Sequence, residues 1–418
     1  MKTLPGIVVA VTALLFAGVI AIPLACADFA LRDGDTVVFL GDSITAARGY
    51  TKIVEHYTLM RFPERQVHFW NAGWGGDTME GGRQRLERDV FSHGATVVIV
   101  VFGVNDIGWG MKADAEHKQR YLEGLRGIVA ECQRRQVRVF ICSPAITGEA
   151  PDKAETGFLQ QMTDEGLELA KSLGAGAIDV QRGMREIQRR VLAANEKVPD
   201  AKNHSTLHVA DGVHLSELGH LAMGFVLLQG LGAPAEVSSV EIDARTPALV
   251  AAEGCEVTAL APREDGLAFT RLDRGLPLTL GALSALNFRF VPLPDGLNRY
   301  LLKVKNLAPG KYEIRAENRS LGKVDAGQLA RGLNISWMTA NGWEPGGPWD
   351  AQSTSVKELV DARDRLWLSG TLRVRYADGH PQAARLAQDT QELGARLFAL
   401  QHATARPYAY RFEIQRVP

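Results

Sequence analysis

The chain reads TVVFLGDS at residues 36–43, a run of apolar, mostly β-branched residues that passes directly into a Gly-Asp-Ser turn. Continuous apolar runs of this length are typical of strands buried on both faces of a parallel sheet. Similar runs follow it, and together they predict five strands at Thr36–Leu40, Gln66–Asn71, Thr96–Phe102, Val137–Cys142 and Ala177–Val180.

The segments between these runs have helical spacing, with apolar residues at i, i+3 and i+4. The helices predicted in this way include Ala115–Cys132, Glu155–Leu173 and Ser216–Leu228. Strands that alternate with helices indicate an α/β fold with helices on both faces of the sheet. In the common doubly wound order 2-1-3-4-5, the second and third strands would flank the first.

Polar residues follow three of the predicted strands at the point where each strand ends. The first strand leads to Ser43, the second to Asn71-Ala72-Gly73, and the third to Gly103-Val104-Asn105. Because open α/β sheets bind ligands at the carboxyl ends of their strands, we expect these residues to surround one point. The sequence therefore predicts a site there, with Ser43 at its centre.

Acyl transfer needs hydrogen-bond donors aimed at the oxyanion of its tetrahedral intermediate, and losing one donor costs about 100 to 1000-fold in rate. The backbone N–H groups of Ser43 and Gly73 and the side-chain amide of Asn105 are the predicted donors. The alternative for Asn71 and Asn105 is turn capping through their side chains.

A serine hydroxyl needs a base that an acceptor holds in one tautomer. The stretch Asp211-Gly212-Val213-His214 offers both groups on one turn, ahead of a predicted helix. A metal site made of His208, Asp211 and His214 is the alternative, but no second cluster of ligands supports it, so no metal and no cofactor are predicted.

The site residues fall in four short segments: Gly41-Asp42-Ser43, Asn71-x-Gly73, Gly103-x-Asn105-Asp106 and Asp211-x-x-His214. In this order they resemble the sequence blocks of the SGNH (GDSL-like) hydrolases, and the resemblance covers residues 35 to about 230. The resemblance implies a flavodoxin-like three-layer α/β/α sandwich and metal-free hydrolysis of esters or thioesters. It also implies that Ser43 is the nucleophile, His214 the base and Asp211 its orienting acid, with Ser43, Gly73 and Asn105 forming the oxyanion hole. One departure is Ile44, where many members have leucine.

Beyond Gly232-Ala233-Pro234, the pattern changes to the alternation that is typical of half-buried strands. We predict a catalytic domain at residues 28–232 and a smaller β-rich accessory domain at 233–418. Helical patterns at Ser355–Leu366 and Pro381–Leu400 predict a helical hairpin within this second domain.

The first 27 residues read as a signal peptide, with an apolar stretch after Lys2 and small residues at Ala25-x-Ala27. An uncleaved membrane anchor and lipidation at Cys26 are the alternatives, and the predicted location is secreted or periplasmic. The remaining cysteines are an odd three without C-x-x-C spacing, which argues against a disulfide framework. A net charge of −1 argues against a nucleic-acid partner.

The predicted partner is a small-molecule or polysaccharide ester. An exported enzyme with an added β-rich domain favours a carbohydrate O-acetyl esterase. A lipid-directed esterase or lysophospholipase is one alternative, and a non-catalytic glycan-binding surface protein is another. Asp42, Trp74 and Trp109 are candidates for substrate binding. A cluster of Trp337, Trp343 and Trp349 in the second domain could stack on sugars, although core packing is the more common role of tryptophan.

Overall fold

The computed structural model of the protein describes residues 29–376 and 382–418. The predicted signal peptide at residues 1–27 lies outside the described residues. Among the described residues, no helix has both the length and the apolar character that crossing a bilayer requires.

The N-terminal half contains a parallel sheet of five strands, and each strand coincides with one of the predicted apolar runs. The strands are β1 (Thr36–Gly41), β2 (His68–Gly73), β3 (Val97–Val101), β4 (Arg138–Cys142) and β5 (Gly176–Ile178). Their order is β2-β1-β3-β4-β5, the doubly wound order considered from the sequence. The fifth strand ends earlier than predicted, because Asp179 accepts a hydrogen bond from Arg182 N and caps a helix that begins at Val180.

Helices cover both faces of this sheet. They are α1 (Ser43–Ala46), α2 (Gly49–Arg61), α3 (Met79–Gln84), α4 (Leu86–Asp89), α5 (Ala115–Arg134), α6 (Pro151–Glu155), α7 (Phe158–Ser172), α8 (Val180–Asn195) and α9 (Glu217–Gly230). Along β1, Val37 and Phe39 face the core on the side of α2, α8 and α9. Val38 and Leu40 face the core on the side of α3, α5 and α7. This alternation explains why the strand is apolar at every position.

The C-terminal half is rich in β-structure and carries the predicted helical hairpin. Its strands are β6 (Glu236–Asp243), β7 (Ala248–Glu253), β8 (Cys255–Arg263), β9 (Gly266–Asp273), β10 (Arg299–Lys305), β11 (Lys311–Ala316), β12 (Arg319–Asp325), β13 (Leu333–Asn334) and β14 (Ala409–Val417). Its helices are α10 (Leu293–Leu297), α11 (Ala326–Arg331), α12 (Pro348–Tyr376) and α13 (Ala383–Ala405). The strands form two sheets, ordered β13-β10-β6-β7 and β12-β11-β14-β9-β8.

The hairpin of α12 and α13 packs along β2, the edge strand of the parallel sheet. Trp367 of α12 lies 4.3 Å from Trp70, and Phe398 of α13 stacks on His68 at 4.2 Å between ring centroids. An exposed strand edge invites pairing with other chains, so this cover protects the sheet. The cover also places α12 beside the end of β2, close to the predicted site.

Candidate active site

Ser43 is the first residue of α1, and one residue, Asp42, separates it from the end of β1. Asp42 caps this helix, since its Oδ1 accepts a hydrogen bond of 2.9 Å from the N–H of Ile44. The Asp42 carboxyl group is buried, and this burial raises its pKa to about 6 against the opposing effect of the Ile44 N–H. Asp42 therefore fixes the start of α1, and its role in substrate binding stays a prediction.

His214 lies between Ser43 and Asp211. Its Nε2 is 2.8 Å from Ser43 Oγ, and its Nδ1 is 2.6 Å from Asp211 Oδ2. The other carboxylate oxygen of Asp211 accepts hydrogen bonds from the backbone N–H groups of Val213 and His214. The His214 side chain, followed by these two N–H groups, holds the pKa of Asp211 near 2, so the carboxylate is charged at neutral pH.

The turn that carries Asp211 and His214 is anchored on both sides. Val209 N donates to His214 O at 2.9 Å, and Gly148 N donates to Gly212 O at 2.6 Å. Gly212 has φ +70, which glycine adopts without strain. These contacts fix the turn before α9, so that the histidine ring faces Ser43.

Asn105 is held by two hydrogen bonds. Its Nδ2 donates to Asp77 O at 3.0 Å, and its Oδ1 accepts from Trp109 Nε1 at 2.8 Å. An amide nitrogen carries two hydrogens, so one N–H of Asn105 remains for a ligand. Trp109 is half-exposed, and its ring lies 5.8 Å from the His214 ring in an edge-to-face arrangement. The structure thus brings Asn105 and Trp109 to the same place as His214.

Gly73 has a different role from the predicted one. Its N–H donates to Asn71 Oδ1 at 3.0 Å, while Asn71 Nδ2 donates to Thr45 O at 2.8 Å. A Cβ atom at Gly73 would lie 2.2 Å from Ala46 N, so glycine is needed where β2 approaches α1. The Gly73 N–H is therefore not free to bind an oxyanion, and Asn71 acts as the turn cap that was its alternative reading.

Arg85, which the sequence analysis missed, ties the strand ends together. This buried side chain donates to Gly41 O at the end of β1 and to Ala72 O near the end of β2. It also pairs with the Asp77 carboxylate at 2.7 Å and with Asp89 at 3.0 Å. Nothing in the local sequence indicates this role, because the bonded carbonyl groups belong to distant strands.

Asp106, the residue after Asn105, is buried behind the site. Its Oδ1 accepts from Met79 N at 2.9 Å, and its Oδ2 has no hydrogen-bond partner among the described residues. Burial raises its pKa to about 7, and the negative charges of Asp42 and Asp77 add to this effect. The site thus rests on a cluster of carboxyl groups that favours the neutral form of Asp106.

The remaining residues that the sequence suggested for metal or substrate binding are one histidine and four tryptophans. His208 donates from Nε2 to Ile146 O at 2.9 Å, a structural hydrogen bond. Trp74 is half-exposed in the loop after β2, and its backbone N–H binds Gly41 O at 3.0 Å. In the C-terminal half, Trp349 is fully buried, whereas Trp337 and Trp343 are exposed.

Comparisons with known proteins agree with this fold. Residues 39–222 match the model of the GDSL-like Lipase/Acylhydrolase family. A solved structure described as BT4096, a gut microbial diltiazem-metabolizing enzyme, superposes with a TM-score of 0.78 at 21% identity and covers 93% of this chain and 98% of that one. At this level of identity, the likeness shows a shared fold over both halves of the chain.

Two curated relatives match only part of this chain. The uncharacterized lipoprotein YqeF of Bacillus subtilis (strain 168) is 29% identical over 126 residues, which are 28% of this chain and 52% of that protein. The chain therefore spans about half the length of this relative. The acetylxylan esterase of Geobacillus stearothermophilus is 23% identical over 224 residues, which are 48% of this chain and 96% of that enzyme. The part of the chain that is similar to the GDSL-like Lipase/Acylhydrolase family is therefore residues 39–222, which carry Ser43, Asn105 and His214.

Proposed function

We propose that this protein is a serine esterase that works through an acyl-enzyme intermediate on Ser43. The observation that carries the proposal is the continuous set of contacts from Ser43 Oγ through His214 to Asp211, at 2.8 and 2.6 Å. A serine becomes a competent nucleophile when a neutral imidazole accepts its proton and a carboxylate orients that imidazole.

The chemistry follows from these contacts in two half-reactions. Ser43 Oγ bonds to the acyl carbon while its proton passes to His214 Nε2, and the tetrahedral intermediate then expels the alcohol, which takes that proton. Water repeats the sequence on the acyl-enzyme and releases the carboxylic acid. Asp211 stays ionised throughout and stabilises the imidazolium in each half-reaction.

For the oxyanion, we propose the N–H of Ser43, the unoccupied N–H of the Asn105 amide and the N–H of Gly76. Neither backbone N–H has a hydrogen-bond acceptor among the described residues. We assign to Gly76 the oxyanion-binding role predicted for Gly73. Gly76 is next to Asp77, whose carbonyl oxygen accepts a hydrogen bond from the Asn105 amide. Gly76 is exposed and has φ +75, a conformation that favours glycine.

As substrate we propose an O-acetylated carbohydrate outside the cytoplasm. The similarity to an acetylxylan esterase supports the acetyl and carbohydrate parts of this proposal. The predicted signal peptide and the similarity to a lipoprotein support export. His214 and Trp109 are partly exposed, which suits a substrate attached to a large polymer.

The test uses p-nitrophenyl esters from acetate to decanoate with the purified protein and its Ser43→Ala variant, with and without a chelator. We expect a preference for acetate, and the variant should lose roughly 10⁴ to 10⁶-fold in kcat. The chelator should have no effect. A preference for long chains would assign the enzyme to lipids, and equal activity of both proteins would refute the nucleophile.

A further inference from the structure

A cavity of about 460 Å³ lies between the edge strand β2 and helix α12, and we call it the edge cavity. Trp70 and Trp74 contribute to its wall from the catalytic half, and Trp367 and Leu368 contribute from α12. The match to the family model ends at residue 222, so the wall from α12 lies outside the part of the chain that the family shares.

The edge cavity begins close to the nucleophile. Ala46 and Gly73 line it, and Ala46 is the third residue after Ser43 in α1. Three residues of an α-helix correspond to a rise of about 4.5 Å. Trp74, also in the wall, is hydrogen-bonded through its backbone to Gly41. Gly75 lines the cavity too, so the edge cavity borders both α1, which begins at Ser43, and the segment that carries the proposed oxyanion donor Gly76.

The acidic and basic side chains of the wall have ionic partners, either within the wall or beside it. Arg48 binds both carboxylate oxygens of Asp364 at 2.7 Å, and Arg363 lies 3.2 Å from Glu55. An ionic ligand would have to compete with these pairs, so a neutral ligand is favoured. Carboxylates and guanidinium groups nevertheless have several acceptor and donor positions each, which leaves capacity for hydroxyl groups.

The aromatic groups of the wall are fixed by mutual packing. Trp70 stacks on His93 at 4.2 Å and contacts Trp367 at 4.3 Å. Rigid aromatic surfaces reduce the conformational entropy that binding costs. Indole surfaces next to groups that bind hydroxyls match a sugar ring, which has apolar C–H faces and a polar rim.

We propose that the edge cavity binds a sugar ring of the alcohol part of the ester, so that helix α12 takes part in substrate selection. This inference rests on the proposed function, because it names the substrate class of the same site. It assigns to the C-terminal half a direct role in recognition, beyond covering the edge of the sheet.

The test compares Trp367→Ala with the wild-type protein on two acetate esters. Ethyl acetate has an alcohol too small to reach the cavity, whereas methyl 2,3,4-tri-O-acetyl-β-xylopyranoside carries the ring. For the xyloside we expect kcat/KM to fall about tenfold, mainly through KM, as for removal of an aromatic anchor. For ethyl acetate, kcat/KM should be unchanged. Leu393→Ala, which truncates an exposed side chain of α13 outside the edge cavity, should change neither.

Leu368→Trp is the second variant, because Leu368 is partly exposed and a larger side chain there narrows the cavity without removing packing. The same selective loss is expected. Parallel losses on both esters, or no loss on either, would refute the inference. A third ester, 1-naphthyl acetate, carries an aromatic alcohol in place of a sugar. A loss of activity confined to this ester would also refute the inference, since the cavity would then recognise aromatic alcohols.

Binding separates this inference from the proposed function. Isothermal titration of the Ser43→Ala variant with xylobiose requires no turnover, and adding Trp367→Ala should weaken binding about tenfold. If the wild-type protein shows no Ser43-dependent hydrolysis, the proposed function fails while this titration still decides the inference. Equal binding with and without Trp367 would overturn it.

Discussion

Trp109 connects two residues on which the proposed mechanism depends. Its indole N–H binds Asn105 Oδ1, and the edge-to-face contact of the two rings joins it to His214. Its φ of +58 lies in the left-handed region, where a bulky residue is strained by roughly 1 kcal/mol or more. Since the fold maintains this strained conformation, we infer that Trp109 positions the Asn105 amide.

Replacing Trp109 with phenylalanine removes the N–H and keeps the ring. We expect kcat to fall about tenfold with little change in KM, because the oriented amide acts mainly in the transition state. Steady-state kinetics with p-nitrophenyl acetate measure this, with Trp343→Phe, a change at an exposed tryptophan of the C-terminal half, as the matched control. A change in KM alone would show instead that Trp109 contacts the substrate in its ground state.

A second residue-scale prediction concerns the buried Asp106. Its pKa is raised from 3.8 to about 7, so the folded protein keeps a proton that the unfolded chain loses above about pH 4. The free energy of unfolding therefore falls as the pH rises from 4 to 7. The Asp106→Asn variant lacks this loss. Its free energy of unfolding should therefore exceed that of the wild type by an amount that grows with pH to about 2–4 kcal/mol at pH 7.

Thermal unfolding of both proteins at steps between pH 4 and pH 8 measures this difference. Asparagine can still accept the hydrogen bond from Met79, so the local geometry is retained. The difference in Tm should widen up to pH 7 and then stay constant. A difference that is the same at every pH would mean that Asp106 is already ionised in the folded protein.

Residues whose partners are near in sequence, or which follow a strand, could be predicted without the structure. Asp211 and His214 share one turn, and Ser43 and Asn105 follow buried strands, so the sheet brings them together. Gly73 could not be assigned correctly, because its N–H had a competing acceptor in Asn71 two residues earlier. Sequence spacing alone does not show whether the Gly73 N–H binds the Asn71 side chain or an oxyanion.

At the scale of elements, Arg85 joins the ends of two strands to the loop that follows β2. It binds Gly41 O and Ala72 O, and through Asp77 it fixes the segment whose carbonyl holds Asn105. These partners converge only after the sheet has formed, which is why the sequence did not reveal them. Arg85 is thus a positioning residue for the proposed oxyanion site.

Removal of Arg85 takes a charged hydrogen-bond partner away from the Asp77 carboxylate and from two strand-end carbonyl groups. We expect Arg85→Ala to lower the free energy of unfolding by about 3–5 kcal/mol, the usual cost of breaking a buried pair. The neighbouring Arg88, which is exposed and pairs with Asp89, is the control, and Arg88→Ala should cost less than ~1 kcal/mol. Urea unfolding measures both values.

The activity of a conservative variant distinguishes positioning from stability. Lysine keeps the charge of Arg85 but not its planar fork, so it cannot bind both strand ends and Asp77. Under conditions where Arg85→Lys is fully folded, we expect kcat to fall about tenfold at nearly constant KM. Full activity in this folded variant would reduce Arg85 to a stabilising role.

At the scale of the whole molecule, the two halves share their cores. Leu59 and Met60 of α2 belong to the core of the C-terminal sheets. Leu293 and Leu297 of α10 belong to a core of the parallel sheet. The change to an alternating pattern near residue 232 predicted the β-rich C-terminal half, but alternation carries no information on which distant faces meet. The division at residue 232 therefore remains a proposal, and we do not expect the two halves to fold independently.

A chain cut to residues 29–232 tests this interdependence. The cut exposes Leu59 and Met60 on α2 and removes the cover from His68 and Trp70 on the edge strand. Exposed apolar surface and a free strand edge both promote association. We expect the fragment to aggregate, or to unfold at least 10 °C below the full chain, since lost burial costs about 25 cal/mol per Å². Size-exclusion chromatography and circular dichroism measure this. A monomeric fragment with the full chain's Tm would show instead that the N-terminal half folds alone. The proposed contribution of the C-terminal half would then be limited to α12 at the edge cavity.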